Sequence, residues 1–320
     1  MLCLVEARRL APILAAAALT GCAGGSLTAP PMPADSSTAF SAVRSGAQFY
    51  GNDYVYSAQL YGNDATVYAR KGLSLTPLET LYPGIAAPQG TIVTPNGWWY
   101  LANGGDANVL IYRSTRKGPN GPVGSLDDSG EVPDNVSVTG DRNLVAVSNA
   151  VSAGSGTGSV SVYVNRESRP SRILSYGSDQ LAGQGVAIDP QGNCYWSFND
   201  VSSPSKVGSI VGFANCSGAG SPVVSGIVSA GGMAFDHSGN LYYVDEAAGI
   251  YKCQKTSSCK LLASGFGLPT NINFDSKQKH LWVADATGYI DAVNPQTGKI
   301  EFQTISVGGD PYGIAPSPGS

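Results

Sequence analysis

Short apolar runs recur along the chain, each preceded by a small or turn-forming residue and followed by a polar turn. The runs GVAI, GMAF, LYYV and LWVA contain almost no polar positions, which is typical of strands covered by protein on both faces. One unit is repeated several times along the chain. It consists of a small residue, an apolar run, a turn, an aromatic-rich apolar run and then Asp or Asn. The pattern predicts a β-sheet protein built from repeated units.

The repeated unit predicts the number of sheets. The clearest copies are QGVAIDPQGNCYWSFND from Gln184, GGMAFDHSGNLYYVDE from Gly231 and PTNINFDSKQKHLWVAD from Pro269. The small residues that anchor the copies lie 39 to 50 residues apart: Gly90, Asn135, Gly185, Gly232, Asn271 and Gly313. The second half of a copy supplies two more short strands, such as GSVSVYV and SRILSY. We therefore predict an all-β fold, a six-bladed β-propeller of four-stranded antiparallel blades, over residues 49–320.

The last copy, PYGIAPS from Pro311, stops after its first run. We expect this C-terminal strand to be the innermost strand of the blade whose outer strands lie within 54–81. First and last blade would then fuse, and no sheet edge would remain at the seam. A two-layer sandwich is the competing architecture, but its strands would not repeat a motif of about twenty residues at this period.

Composition supports short strands and excludes one class of partner. The chain has 41 glycines and 20 prolines, and only 13% of its residues are charged, against about 25% on average. Surface helices need a charged face, so a mostly helical protein is disfavoured. The formal net charge is −4, and no more than two Lys or Arg residues are adjacent. We expect a monomer that does not bind nucleic acid.

The first residues resemble the signal peptide of bacterial lipoproteins. Arg8 and Arg9 precede an apolar run, LAPILAAAAL, that is too short to cross a bilayer. The following LTGC resembles a lipobox, which implies a signal over 1–21 and a lipid anchor at Cys22. The resemblance implies export to the cell envelope, with the outer membrane favoured over the inner because Ala23 follows the cysteine. Residues 22–48 are rich in Gly, Ser, Ala and Pro and are predicted to be a flexible tether. An ordinary cleaved signal with a chance cysteine is the alternative.

The repeated units resemble NHL and YVTN repeats, on the motifs AFDHSGNLYYVDE and NFDSKQKHLWVAD. The resemblance covers roughly 50–320, and the first three blades depart from it considerably. It implies a propeller that serves as a binding or scaffolding module.

Four further cysteines follow the signal in an exported, oxidising location. Cys253 and Cys259 bracket QKTSS between two strands of one blade, while Cys194 and Cys216 are expected on the second and third strands of the preceding blade. Three pairings are possible, and the local one, Cys194–Cys216 with Cys253–Cys259, needs the least rearrangement of the chain. A zinc site lacks the spacing and the histidine partners.

Ligands of propellers as a family use the face that carries the turns from second to third strands. Polar residues collect in these turns, and they are the candidate ligand face: Asn63, Asp64, Asn103, Asp106, Asn149, Asn199, Asp200, Asp245, Glu246 and Asp285. They would recognise a polar ligand or peptide, or hold calcium, the one cofactor considered; the alternative is that they cap turns. Both histidines are expected in turns of the opposite face, and no catalytic motif occurs.

The chain is also more distantly similar to the regucalcin and gluconolactonase propellers, which hold one catalytic metal at the axis. In that family Asn or Asp stands directly before several anchors. Here those positions are Gln89, Asp134, Gln184, Gly231, Thr270 and Tyr312, so the set of metal ligands is not reproduced. We therefore expect a non-catalytic binding or scaffolding module for a protein, peptide or glycan; a metal-dependent lactonase is the alternative.

Overall fold

A computed structural model describes residues 53–113, 121–152, 156–177, 180–202, 207–304, 307 and 309–318. The signal peptide, Cys22 and the tether lie outside these residues. Within the described part of the chain, no helix is long and apolar enough to cross a membrane.

The described residues form six four-stranded antiparallel sheets, and the predicted six-bladed propeller is confirmed. Blade 1 contains β1 (Tyr54–Gln59), β2 (Asp64–Lys71) and β3 (Ser74–Leu81), with β24 (Pro311–Pro316) as its innermost strand. Blade 2 contains β4 (Pro88–Val93), β5 (Trp98–Asn103), β6 (Asn108–Arg113) and β7 (Pro122–Asp127). Blade 3 contains β8 (Glu131–Val138), β9 (Leu144–Ser152), β10 (Ser159–Val164) and β11 (Arg172–Leu174).

The second half of the ring repeats this order from the axis outwards. Blade 4 contains β12 (Leu181–Ile188), β13 (Cys194–Asp200), β14 (Gly208–Phe213) and β15 (Ser221–Ile227). Blade 5 contains β16 (Ala230–Phe235), β17 (Leu241–Asp245), β18 (Gly249–Gln254) and β19 (Ser257–Ala263). Blade 6 contains β20 (Pro269–Phe274), β21 (Leu281–Asp285), β22 (Tyr289–Val293) and β23 (Ile300–Gln303). Short 3-10 turns follow β5 (Gly104–Asp106) and β14 (Ala214–Cys216).

Strands from both ends of the chain close the ring, as predicted. β24 pairs antiparallel with β1, with Tyr56 opposite Ala315 and Ser57 opposite Ile314. The Tyr54 amide donates to the Ser317 hydroxyl at 2.8 Å, and the Ser317 amide donates to the Tyr54 carbonyl at 2.8 Å. The innermost strand of blade 1 therefore comes from the C-terminal end of the described chain, whereas its other three strands come from the N-terminal end.

Apolar and aromatic side chains fill the spaces between neighbouring blades. The Trp99 ring of blade 2 stacks between Tyr56 of blade 1 and Tyr112, with centroid distances of 4.6 and 4.3 Å. Trp196 and Trp282 are also fully buried. Trp98 differs because it is only partly buried and lies beneath two guanidinium groups. The apolar runs of the sequence are thus used for packing between blades.

Small residues are needed where the innermost strands approach the axis. A Cβ at Gly313 would lie 2.1 Å from the Gln89 carbonyl oxygen. A Cβ at Gly90 would lie 2.6 Å from the Asn135 side chain, and one at Gly232 would lie 2.8 Å from that of Asn271. These three anchors of the repeat are therefore glycine because adjacent innermost strands are in contact.

The repeated Asp and Asn of the motif close the turns between first and second strands. Asp236 accepts hydrogen bonds from the Ser238 and Asn240 amides and from the Asn240 side chain. Asp189 binds Asn193 in the same way. An aspartate that accepts hydrogen bonds from backbone amides further along the chain stabilises a turn.

Both predicted disulfides are confirmed, and the position of one cysteine differs from the expectation. Cys194 pairs with Cys216, and Cys253 with Cys259. Cys216 lies in the 3-10 turn after β14 rather than on the third strand, because Phe213 is already the last strand partner of Cys194. The bridge therefore ties this turn to the start of β13.

Candidate functional site

The two faces of the propeller carry different turns. We call the face with the turns from second to third strands the upper face, and the face with the turns from first to second strands the lower face. The innermost strands run from the upper to the lower face, and their ends surround the axis on each side.

At the upper face the innermost strands leave only a small cavity on the axis. Its volume is about 10 Å³, near the lower limit for holding one water molecule. Its lining draws on all six blades and on one nearby turn: Gln89, Gly90, Asp134, Asn135, Gln184, Gly231, Glu246, Thr270, Asn271 and Tyr312. The six positions before the anchors therefore lie together at one point of the axis.

Two carboxyl groups, those of Asp134 and Glu246, line this upper cavity. Burial raises the pKa of Asp134 well above its usual range, and the charge of Glu246 adds to the effect. Asp134 is enclosed by protein on most sides, although part of its side chain still faces the cavity. The Glu246 carboxylate accepts a hydrogen bond from the Ser229 hydroxyl at 2.8 Å. Burial, together with the charge of Glu246, raises the pKa of Tyr312, so its phenol stays protonated.

Two asparagines lie between the upper cavity and the rest of the axis. Asn135 and Asn271 line the upper cavity and also the larger space below it. The Asn135 side-chain oxygen accepts from the Val136 amide at 2.7 Å. The Asn271 side chain is 3% exposed, and its oxygen has no hydrogen-bond partner. Asn271 thus offers a buried acceptor beside the cavity.

The lower face opens into a channel of about 450 Å³ along the axis, within the usual range for ligand pockets. Its wall contains apolar side chains, such as Ile92, Ile188 and Phe274, and polar ones, such as Ser137 and Asn273. Turns at its rim contribute the polar groups His237, Asp275 and Gln278. The channel therefore combines apolar and polar groups along its wall, with further polar groups at its mouth.

The candidate residues at the ends of the second strands serve as caps. Asp285 accepts from the amides of Gly267, Leu268 and Thr287, and Asp245 accepts from those of Val228, Ser229 and Ala247. Residues in equivalent positions are also buried and hydrogen-bonded: Asn103 to the Ala86 amide, Asn149 to Ser159 and Ser161, and Asn199 to the Ala230 amide. These five side chains bind the segments around them.

The remaining candidates are dispersed. Asn63 accepts from the Ala87 amide of blade 2 at 2.7 Å, and Asp200 accepts from Ser202. Asp106 is exposed, and burial raises the pKa of Asp64 to about 6. Of the ten candidates within the described structure, Glu246 alone lines the upper cavity.

The sequence pattern missed two features of the axis. Gln59 occupies in blade 1 the place of the capping Asn or Asp, and its side chain is buried. It was missed because glutamine does not fit the pattern of the other blades. The lower channel was also missed, although the repeated turns around it, such as DHSGN, were visible in the sequence.

Both histidines lie in turns of the lower face, as expected from the sequence. In His280 the ring Nδ1 lies 3.0 Å from Asp275 and the Nε2 lies 3.3 Å from Glu301. His280 takes the place that asparagine has in the turns of blades 4 and 5. His237 is exposed and lies at the channel rim.

The residues of the axis do not fit the metal site of the regucalcin and gluconolactonase propellers. Among the described residues, no three His, Cys, Asp or Glu side chains are placed to hold a metal ion. The upper cavity offers two carboxylates, from Asp134 and Glu246. The Thr270 hydroxyl donates to backbone carbonyls, and the Asn135 oxygen is already bonded. We therefore derive no reaction through a metal.

The described architecture defines the chain as a six-bladed β-propeller. No family model matches the chain, and no curated protein matches it. Solved structures do share the fold. A calcium-binding protein, regucalcin, from Agrobacterium tumefaciens has a TM-score of 0.53 at 12% identity, covering 71% of this chain and 77% of that one.

Two further structures are similar at the same level. A candidate 6-phosphogluconolactonase from Bacteroides fragilis has a TM-score of 0.56 at 13% identity, covering 84% of this chain and 98% of the other. A functionally unknown protein from Desulfotomaculum acetoxidans has a TM-score of 0.50 at 14% identity, covering 78% of both chains. At such identities the likeness shows the propeller fold alone.

Proposed function

We propose that this protein is an exported, lipid-anchored binding module of the bacterial cell envelope with no catalytic activity of its own. Its ligand is an apolar segment of a peptide or protein, which enters the axial channel from the lower face. The observation that carries the proposal is the contrast between the two ends of the axis. The upper end narrows to about 10 Å³, whereas the lower end is open over about 450 Å³.

The chemistry of the channel favours an apolar chain over a glycan. Aliphatic and aromatic side chains such as Ile188 and Phe274 form the larger part of its wall, and burying apolar surface against them would drive binding. Three of the four tryptophans, which a sugar platform would need exposed, are fully buried between blades. The few polar groups at the rim, among them Gln278, can hydrogen-bond the backbone of an entering peptide.

A blocked channel mouth tests the proposal. Gly140 is exposed, lines the mouth, and has only Pro95 within 4 Å of a new Cβ. Gly140→Phe should therefore fold normally and obstruct entry. We expect it to weaken binding of an apolar fluorescent probe, anilinonaphthalene sulfonate, at least fivefold, with competition by apolar peptides reduced in parallel.

The matched control is Gly124→Phe. Gly124 lies on the outer strand β7, is exposed, and has open space around it. It adds the same side chain far from the axis, so probe binding should equal that of the unchanged protein. Equal probe binding by the Gly140 and Gly124 variants would overturn the channel as the binding site.

The lipid anchor is tested at Cys22. Two acyl chains suffice for stable membrane anchoring, so the full chain should fractionate with membranes and incorporate a labelled fatty acid in a bacterial host. Cys22→Ser should abolish both the labelling and the membrane association. Membrane association of the serine variant, or an unlabelled parent protein, would contradict the anchor without affecting the channel proposal.

A further inference from the structure

Two arginines on the lower face are arranged around one tryptophan ring. The guanidinium carbon of Arg142 lies 3.6 Å from the centre of the Trp98 ring, and that of Arg113 lies 4.7 Å from it. Trp98 is partly buried at the start of β5, while Arg113 ends β6 and Arg142 lies in the turn from β8 to β9. The arrangement therefore joins blades 2 and 3.

Hydrogen bonds hold both guanidinium groups and leave one edge of each free. Arg142 donates from Nε to the Tyr100 hydroxyl at 2.7 Å, and Arg113 donates from Nη1 to the Asn96 carbonyl at 2.9 Å. Among the described residues, no protein acceptor binds Nη1 and Nη2 of Arg142 or Nε and Nη2 of Arg113. Each arginine thus presents a pair of adjacent N–H donors, the arrangement that binds two oxygens of a carboxylate or phosphate.

The two positive charges are not neutralised by an acid. Within the described part of the chain, neither Arg113 nor Arg142 takes part in an ion pair. Asp141 is next to Arg142 in the chain, but its carboxylate accepts hydrogen bonds from Thr139 and Asn143. Because both guanidinium groups lie close to one ring centre, their charges repel each other. A bound anion would remove this repulsion.

The backbone at Arg142 indicates that its side chain is needed. Arg142 has a φ of 64°, in the left-handed region that favours glycine. Other blades have glycine at the equivalent position, which donates its amide to the carbonyl three residues earlier: Gly97, Gly192 and Gly239, with φ of 79°, 85° and 77°. Gln278 of blade 6 is the other exception, and its side chain accepts from the His237 amide. Strain of this kind is concentrated at functional sites.

We propose that Arg113 and Arg142 form a binding site for one oxyanion, a carboxylate or phosphate group of a ligand at the lower face. Each guanidinium would donate to the oxygens through its free edge, while Trp98 and Tyr100 hold the two groups in place. None of these four residues lines the axial channel. The site is therefore separate from the channel of the proposed function.

Anion titration of the full-length protein near neutral pH, followed by NMR, tests the proposal. The indole N–H signal of Trp98 is identified by its loss in Trp98→Phe. Sodium acetate supplies a carboxylate and sodium phosphate a phosphate, so the better ligand identifies the group. We expect a saturable shift of the Trp98 signal, and at least tenfold weaker binding of chloride, which has no paired oxygens.

Arg142→Gly removes the guanidinium and places glycine where three other blades have it, so this variant should fold. We expect it to weaken binding of the preferred oxyanion at least tenfold. Arg166→Gly is the matched control, because Arg166 is exposed on the same face, has a φ of 63° and stacks on no aromatic ring of the described residues. Its affinity should equal that of the parent.

Arg113→Gln, at an exposed position, provides a second test and should weaken binding at least fivefold. The proposal is overturned if neither acetate nor phosphate gives a saturable shift, if chloride binds equally well, or if the Arg142 and Arg166 variants behave alike. Since acetate and phosphate do not report on the axial channel, failure here leaves the Gly140 experiment unaffected.

Discussion

Two aspartates of blade 6 show how neighbouring carboxyl groups acquire different roles. Asp285 accepts hydrogen bonds from three backbone amides, those of Gly267, Leu268 and Thr287. Asp291 is fully buried, and neither of its oxygens has a hydrogen-bond partner. Burial, with the charge of Asp285 added, raises the pKa of Asp291 to about 7, and the nearby Gln303 opposes this only in part. Asp285 is equally buried, but its hydrogen bonds to backbone amides make it a cap, while Asp291 takes up a proton.

Asp291→Asn should therefore change how stability depends on pH. Between about pH 4 and pH 7 the folded protein holds a proton on Asp291 that the unfolded chain has released, so the free energy of unfolding decreases as pH rises through this window. Asparagine has no such dependence. We expect Asp291→Asn to be more stable than the parent at pH 8 by on the order of 1–3 kcal/mol, and similar to it at pH 4.

Urea unfolding curves of both proteins between pH 4 and pH 8 provide the measurement. Asp106→Asn, at an exposed acid, is the control and should reproduce the pH dependence of the parent. If the Asp291 variant retains the same slope between pH 4 and pH 7, the carboxyl is not protonated in the folded state.

At the scale of strands, packing between blades explains which strands could be predicted from the sequence. The runs GMAF and LWVA lie on β16 and β21, which are covered on both sides, so nearly continuous hydrophobicity identified them. The anchors were identifiable because close approach at the axis requires small residues such as Gly232 and Gly313. Outer strands such as β11, with three residues, carry little pattern of their own. The order of blades could therefore be predicted from the inner halves of the repeats.

The candidate site was less predictable for a physical reason. Asp and Asn are used both to bind ligands and to cap turns, and the sequence around Asp245 or Asn103 is the same in either case. Only the structure shows that these side chains accept hydrogen bonds from nearby amides. Cavity size depends on how far the innermost strands stand from the axis, and no local pattern encodes that distance. The open channel and the narrow upper cavity thus became visible only in three dimensions.

At the scale of the whole molecule, closure of the ring depends on the last strand. β24 lies between β1 and the axis, and Ile314 and Ala315 are fully buried within it. Without β24 the inner edge of β1 would be unpaired, and Trp282 of blade 6 would lose Ile314 from the cluster in which it is buried. Each blade of a closed ring is covered on both sides, so removal of one strand exposes two blade interfaces.

Truncation after Asp310 should consequently abolish cooperative folding. Ile314→Ala should still fold, with a free energy of unfolding lower by about 2–5 kcal/mol, the usual cost of deleting a buried side chain of this size. Ile173→Ala is the matched control, because Ile173 lies on the outer strand β11 and is 54% exposed; its effect should stay within about 0.5 kcal/mol. Tryptophan fluorescence during urea unfolding measures all three variants. A single cooperative transition in the truncated chain would show that the other strands form a stable ring without β24, so that closure by β24 does not determine stability.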